Sequence, residues 1–271
     1  MSAQIYGQAK RVLTSIASYR LITNDLGRSL QTTARKPEVA RETAYYLANI
    51  GKVRTIEEFI GDNRLFAYAM RAFGLADLTY AKAFIKKVLT EGIDDPNSFA
   101  NKLTDPRYRE FVATFNFARY GTVATSLERA QQGVADKYVR QVLEEEAGQQ
   151  NEGVRLALYF QRKAPELSNA YQILADRALS TVVRTALGLP PTTAAVDIDR
   201  QAQMIERRIE FDDFKDPVKL QNFITRFLSL WELANPSTYS SPAPLLIGRP
   251  AEAGFTPDLL ASFQNLRFAR L

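Results

Sequence analysis

The sequence predicts an all-α protein built from many helices. Apolar residues recur every three or four positions along most of the chain, which is the spacing of a helix that buries one side. Aspartate, threonine and proline precede many of these apolar runs, and glycine follows several of them, as expected where helices begin and end. No segment alternates apolar and polar residues convincingly, because the nearest candidate strand, PLLIGRP at 244–250, is short and bounded by proline.

The first predicted element is one long N-terminal helix, because an apolar stripe of helical period runs through residues 5–30. Pro37 suits the first position of the next helix, and Gly51 is predicted to end it. Thr55 is followed three residues later by Glu58, which is the spacing of a capping box. A short helix is therefore predicted to begin at this point.

Aspartate marks most of the later helix starts. Asp77 is predicted to cap a helix that extends through Leu89. Three Asp-Pro pairs combine an N-cap side chain with a proline whose φ is preset for a helix, at 95–96, 105–106 and 216–217. A further helix is predicted over residues 123–146.

Two stretches of the chain share one pattern at an offset of 114 residues. They are DNRLFAYAMRAFGL at 62–75 and DRALSTVVRTALGL at 176–189. Each has aspartate where an N-cap belongs and a Gly-Leu end where a helix must turn at positive φ. We predict two related helical units, at about 38–117 and 152–231, each with a helix, a short helix and an Asp-capped, Gly-terminated helix. The alternative is a coincidence between two amphipathic helices.

The same offset pairs residues upstream of this pattern, namely Glu38 with Glu152, Arg41 with Arg155, Tyr45 with Tyr159 and Tyr46 with Phe160. We predict that the four aromatic residues form a seam shared by the two units. The two arginines are predicted to stack on that seam or to pair with the glutamates three residues before them.

The domain prediction is a single helical domain over residues 1–234, followed by a tail over 235–271. The tail is rich in proline, serine, glycine and alanine up to Thr256, which is typical of an extended segment. It is predicted to end in a helix with apolar residues on one side, at Phe255, Leu259, Phe263 and Leu266. That helix either folds back on the domain or docks into a groove of a partner.

Composition excludes several kinds of chemistry. The 271 residues include no cysteine and no histidine. The chain therefore has no disulfide, no thiol nucleophile, no imidazole base and no imidazole metal ligand. Neither a Walker-type loop nor a G-x-G-x-x-G motif is present. We expect a protein that is not an enzyme and has no catalytic, cofactor-binding or metal-binding residues.

Three consecutive glutamates, Glu144 to Glu146, invite a metal interpretation. Helical di-iron sites pair glutamate with histidine three residues later, and this chain has no histidine. We interpret the three glutamates as a solvated helix face.

Charge and hydropathy limit the partners and the location. The net charge is +5, but the basic residues are scattered and never form a block of five or more, so we expect no nucleic-acid partner. No stretch approaches the roughly 18 apolar residues of a membrane span. Lys10 and Arg11 precede any apolar run, so no cleaved leader is predicted. We expect a cytoplasmic protein, or one that leaves the cytoplasm by a leaderless route.

Several long stretches resemble one bacterial family. They include SYRLITNDLGRSL from Ser18, EVARETAYYLANIGKVRTIEEFIGDNRLFAYAMRAFGL from Glu38 and ILADRALSTVVRTALGLP from Ile173. The family is an alphaproteobacterial helical domain of unknown function that is often encoded in flagellar gene clusters. The resemblance covers residues 18–231 and excludes the tail. It implies a flagellar association and carries over no functional residue.

Residue patterns and resemblance together give two functional hypotheses. The first is a non-enzymatic protein that contacts other proteins in flagellar assembly, structure or regulation. The second is a helical binding module for a small ligand or nucleic acid, unrelated to motility.

Overall fold

The computed structural model describes residues 13–236, and it confirms the all-α prediction for them, since they form helices and turns without a strand. Short 3-10 helices lie between many of the α-helices. The α-helices are α1 (Ser15–Thr23), α2 (Leu26–Ala34), α3 (Pro37–Ile50), α4 (Ile56–Gly61), α5 (Asn63–Ala72), α6 (Lys82–Glu91), α7 (Phe99–Lys102), α8 (Pro106–Phe115), α9 (Phe117–Tyr120), α10 (Gln132–Gln150), α11 (Glu152–Lys163), α12 (Ala170–Leu174), α13 (Arg177–Ala186), α14 (Ile198–Glu206) and α15 (Pro217–Ala234).

The buried apolar side chains form two separate cores. The first draws on residues 39–142 and is rich in aromatic rings, with Phe59 lying 4.7 Å from Phe115 between ring centroids. The second draws on residues 147–228 and also takes Tyr19 from α1. In it, the ring of Phe160 lies 5.3 Å from those of Phe214 and Phe223.

Helix α10 belongs to both cores. Val134, Tyr138 and Val142 on its first part are buried in the first core, and Ala147 near its end is buried in the second. Helices α3 and α5 of the first core pack on α10, and so does α11 of the second. Among the described helices, those within 38–117 have no extensive packing interface with those within 152–231. The two sets are therefore joined mainly through α10.

The prediction of one long N-terminal helix over residues 5–30 is wrong for residues 13–30, which the structure describes. The helix stops at Thr23, and Asp25 starts a new one by accepting a hydrogen bond from the Arg28 amide at 2.9 Å. The apolar stripe concealed this break because a side-chain cap can restart a helix while the period continues. Helix α1 packs on α11 and α15, whereas α2 packs on α10. Residues 1–12 lie outside the described part.

The two predicted units contain helices at matching positions. Helices α5 and α13 span 63–72 and 177–186, which is the predicted offset of 114. Asp62 caps α5 by accepting from the amides of Arg64 and Leu65, both at 3.0 Å. Asp176 caps α13 in the same way, accepting from the amides at 178 and 179 at 2.8 and 3.1 Å.

The ends of these two helices match as well. Gly74 and Gly188 have φ of +69° and +66°, as the sequence predicted. The amide of Leu75 donates to the carbonyl of Met70 at 2.8 Å, and the amide of Leu189 makes the equivalent bond to residue 184 at 2.9 Å. Both ends are Schellman motifs. The relation between the two units stays a prediction, which these shared starts and ends favour.

Several other predicted helix boundaries differ from the structure. Asp77 caps no helix, because it lies in a 3-10 turn and α6 begins five residues later. The Asp-Pro pairs at 105–106 and 216–217 begin α8 and α15 as predicted. The pair at 95–96 instead forms a turn, in which Asp95 accepts from the Asn97 amide at 2.8 Å. The helix predicted over 123–146 begins only at Gln132, after two 3-10 segments.

The predicted aromatic seam does not form. Tyr46 stacks on Tyr68 in the first core, with ring centroids 4.4 Å apart, whereas Phe160 packs in the second core. Each ring packs with the helices of its own unit because α10 lies between the two cores.

The domain prediction is only partly covered by the described residues. Residues 13–235 form one compact unit, and α15 ends at Ala234. The predicted tail lies outside the described residues beyond Pro236, together with its terminal helix.

Gly74→Val and Gly188→Val are each expected to lower the free energy of unfolding by about 1 kcal/mol or more, because a β-branched side chain is strained at positive φ. Gly61→Val is the control, since this exposed glycine has ordinary φ and no atom within 4 Å of an added Cβ. Urea unfolding of the three variants measures the difference. Equal stabilities for all three would contradict the role of the two glycines.

Candidate functional site

A polar cleft of about 650 Å³ opens beside the middle of α10. One wall comes from the end of α5 and the start of α8, and the other comes from α11, the start of α13 and the single tryptophan of the chain on α15. Half of the residues that line the cleft are charged. They are Asp105, Arg107, Glu110, Glu144, Glu152, Arg155, Arg162, Lys163, Asp176 and Arg177.

A buried carboxylate lies at the base of the cleft. The side chain of Glu144 is only 2% exposed, and it accepts hydrogen bonds from two guanidinium groups. Arg140 on the same helix donates at 2.8 Å, and Arg162 on α11 donates at 2.9 and 3.0 Å. A buried carboxylate is tolerated when opposite charges and hydrogen bonds satisfy it in this way. This ionic cluster therefore connects α10 to α11.

The prediction that Glu144 to Glu146 form a solvated face is wrong. Beside the buried Glu144, Glu145 accepts from Arg71 on α5 at 2.6 Å. Glu146 forms an ion pair with Lys36, just before α3. Three adjacent carboxylates therefore bind cations from three different parts of the chain, because successive residues of a helix point in directions about 100° apart.

One ion pair crosses the cleft. Lys163 on α11 donates to Glu110 on α8 at 2.7 Å, and Lys137 on α10 binds the other oxygen of Glu110. Within the described part of the chain, this is the hydrogen bond that joins residues 38–117 directly to residues 152–231. Burial by itself raises the pKa of Glu110, but the charges of the two lysines outweigh burial and hold the pKa at about 2. Glu110 is therefore a carboxylate throughout the physiological pH range.

The cleft also contains a tyrosine-aspartate pair that has a counterpart in the other unit. The hydroxyl of Tyr159 donates to Asp176 at 2.5 Å, while the second oxygen of Asp176 caps α13. Burial, followed by the charge of Asp176, raises the pKa of Tyr159 far above its ordinary value, so the hydroxyl keeps its proton. Tyr45 donates to Asp62 at 2.9 Å in the same arrangement.

The surroundings of the two pairs differ. In the first unit the guanidinium of Arg64 lies 3.9 Å above the ring of Tyr45 and donates to Glu42 at 2.8 Å. The offset of 114 places Ala178 and Leu156 at the corresponding positions of the second unit, and both line the cleft. The arginine and its carboxylate partner are thus replaced by short or apolar side chains, and the guanidinium of Arg162 lies over the Tyr159 ring instead, 5.1 Å from its centroid.

Two close approaches shape the wall formed by α11. A Cβ atom on Gly153 would lie 2.3 Å from the indole of Trp231, so only glycine allows this ring to pack there. A Cβ atom on Gly148 would lie 2.7 Å from the side chain of Arg155. Arg155 itself donates to Glu152 at 2.8 Å, as the sequence predicted. Its counterpart Arg41 contacts Glu42 instead of the predicted Glu38.

The described residues show no group of three or more acidic side chains placed to hold a metal ion. No site residue was predicted from the sequence. The cleft could not be predicted either, because it depends on how the helices of two units pack on α10. One signal was present in the sequence. The residues 114 positions after Glu42 and Arg64 are Leu156 and Ala178, although the two units are otherwise similar. Such a loss of a charged pair can indicate a specialised surface.

Comparisons with known proteins place the chain among helical proteins without an assigned function. Residues 72–220 match the family described as "Protein of unknown function (DUF1217)". The chain is also similar to a protein from Agrobacterium tumefaciens whose X-ray crystal structure was determined in a structural-genomics project. The two are 50% identical, with a TM-score of 0.77, and the match covers 82% of this chain and 94% of the other. No curated protein matches the chain.

None of the described helices combines the length and the apolar character that crossing a bilayer requires.

Glu110→Gln is expected to lower the free energy of unfolding by about 2 kcal/mol at pH 7. The folded pKa of about 2 lies below the ordinary value of 4.5, so the contribution of Glu110 is complete above about pH 4.5 and is lost as the pH falls towards 2. The difference between wild type and variant should therefore vanish near pH 2. Urea unfolding at several pH values measures it.

Glu166→Gln is the control for this experiment, because Glu166 faces the same lysine at 3.7 Å but is 72% exposed. Its pH dependence should equal that of the wild type. A pH-independent loss of stability in Glu110→Gln would contradict the electrostatic explanation.

Gly153→Ala is expected to destabilise the protein by about 1–3 kcal/mol and to shift the emission of the single tryptophan, because the added methyl group overlaps the Trp231 ring. Gly133→Ala is the control, since its Cβ would meet only ordinary contacts at 3.6 Å or more. Fluorescence spectra and urea unfolding test both variants. An unchanged spectrum in Gly153→Ala would show that the ring does not pack as described.

Proposed function

Because the chain belongs to DUF1217, a family of proteins of unknown function, we propose from the cleft and the sequence resemblance that it is a non-enzymatic protein that acts by contact with other proteins. The process in which it is proposed to act is flagellar assembly, structure or regulation. Family membership confirms the predicted resemblance to a family of unknown function, and the flagellar setting rests on the resemblance alone.

This proposal rests on one observation, which is that every carboxylate of the cleft lining already has ion-pair or hydrogen-bond partners within the protein. Asp105 pairs with Arg107 at 2.7 Å, and Glu152 pairs with Arg155. Glu110 and Glu144 each bind two cations. The remaining one, Asp176, accepts from two helix amides and a tyrosine.

A general base works best when its pKa is near the working pH and its oxygen can reach the substrate. The pKa of Glu110 lies far below neutrality, and the oxygens of the other four carboxylates are already engaged by cations, amides or a tyrosine. Such a lining suits recognition of a partner by charge and shape better than proton transfer.

A second candidate is a binding module for a small ligand, unrelated to motility. The volume of the cleft favours it, because ligand pockets commonly enclose about 300–1,000 Å³. The nucleic-acid form of this alternative receives less support, since many of the basic residues at the cleft are paired with carboxylates.

Deletion of the gene, followed by swimming assays and by pull-down with the tagged full-length chain from the native cell, tests the proposal. We expect impaired swimming and recovery of a flagellar component. Complementation with the wild-type gene is the control for polar effects. Normal swimming together with no flagellar component in the pull-down would contradict the flagellar role.

A further inference from the structure

We infer that the cleft beside α10 binds carboxylates of an acidic segment of a protein partner, with Arg177 as the principal contact. This inference deepens the proposed function, because it names the chemistry of the partner and the residues that meet it. It depends on the charge balance of the cleft, on two hydrogen-bond donors at its wall and on the difference between the two units.

The ionic groups at the cleft carry an excess of positive charge. The five carboxylates of the lining face five cations of the lining, and two further cations, Lys137 and Arg140, bind Glu110 and Glu144 from α10. Glu166 likewise pairs with Lys163 from outside the lining, so seven cations face six carboxylates. An excess of one positive charge in a concave site attracts anions and disfavours cations.

Two donors on the wall of the cleft have no hydrogen-bond partner among the described residues. The guanidinium of Arg177 lies at the exposed start of α13, and neither an ion pair nor a side-chain hydrogen bond forms with it in the described part. The indole N–H of Trp231 is likewise without an acceptor there. Both groups can only donate, so the complementary ligand is an acceptor such as a carboxylate.

The neighbouring groups favour the same ligand. Arg155 and Glu152 are partly exposed at the cleft, so an incoming carboxylate can share the guanidinium. The partly buried ring of Trp231 provides apolar surface against which the methylene groups of acidic side chains can pack.

The first unit shows why the site is confined to the second. Arg64 and Glu42 fill the space above Tyr45 and satisfy each other, with a distance of 2.8 Å. In the second unit Ala178 and Leu156 stand at these positions, and Arg162, which binds Glu144, lies over the Tyr159 ring. The additional donor Arg177 stands at the position where the first unit has Asn63. The second unit thus lacks the Glu42–Arg64 pair and carries an exposed cation at the cleft.

The experiment is a titration of the full-length protein with an oligoglutamate peptide, followed by the emission of Trp231 and by calorimetry. Free glutamate and inorganic phosphate are titrated in parallel, and an oligolysine peptide is the control for charge. We expect saturable binding of oligoglutamate that weakens as the salt concentration rises.

Arg177→Gln is expected to weaken this binding about tenfold, as the loss of a charge-assisted hydrogen bond implies. Arg200→Gln is the matched control, because Arg200 is also exposed in the first turn of a short helix of the same unit but does not line the cleft. Its affinity should equal that of the wild type. Circular dichroism melts verify that both variants are folded.

Absence of oligoglutamate binding at low salt, or equal losses in Arg177→Gln and Arg200→Gln, would overturn the inference. If free glutamate or phosphate binds as tightly as the peptide, the ligand of the cleft is a small anion and not an acidic segment of a protein, which would also overturn the inference. If wild type and Arg177→Gln recover the same partner in equal amount, the cleft does not bind that partner and the inference fails, whereas the proposed function still holds. Loss of motility without any partner would count against both.

Discussion

The structure depends on a single helix that completes two hydrophobic cores. Helix α10 buries Tyr138 and Val142 in one core and Ala147 in the other, while the helices around each core have little packing with those of the other. A helix enclosed on several sides cannot direct all its polar side chains to solvent. Its carboxylates are therefore neutralised inside the protein, most fully at Glu144, which two guanidinium groups bind. The polar cleft is a consequence of this arrangement, because it lies where the two cores diverge from α10.

The two halves combine a similar scaffold with different surfaces. The tyrosine-aspartate bond and the aspartate cap occur in both. The cap satisfies free amides at the start of a helix, and the tyrosine hydroxyl donates to the other oxygen of the same aspartate. The cations above that bond differ, since Arg64, paired with Glu42, lies over the tyrosine in one half and Arg162, paired with Glu144, lies over it in the other. A duplicated structural unit would allow such divergence, because one copy can change its surface while the caps of both continue to define the helices.

The sequence predicted what local chemistry determines. The all-α class, the caps at Asp62 and Asp176 and the positive φ of Gly74 and Gly188 follow from residue types whose preferences act within a few positions. Predictions that needed long-range packing were wrong, including the aromatic seam and the solvated face at Glu144. The latter depends on Arg162, which is 18 residues away and reaches the carboxylate only because α11 folds back along α10. No periodicity in the sequence encodes that contact, and the cleft shares this dependence.

The most direct measurement is native-state hydrogen exchange on wild type and Glu144→Ala. Removing the carboxylate leaves Arg140 and Arg162 partly buried without their counter-charge, which costs about 3–5 kcal/mol for comparable buried pairs. Because α10 completes both cores, amides in α5 and in α13 should gain exchange by the same factor, together with those of α10. Faster exchange confined to α13, with α5 unchanged, would show that the two cores are independent and would contradict the central role of α10.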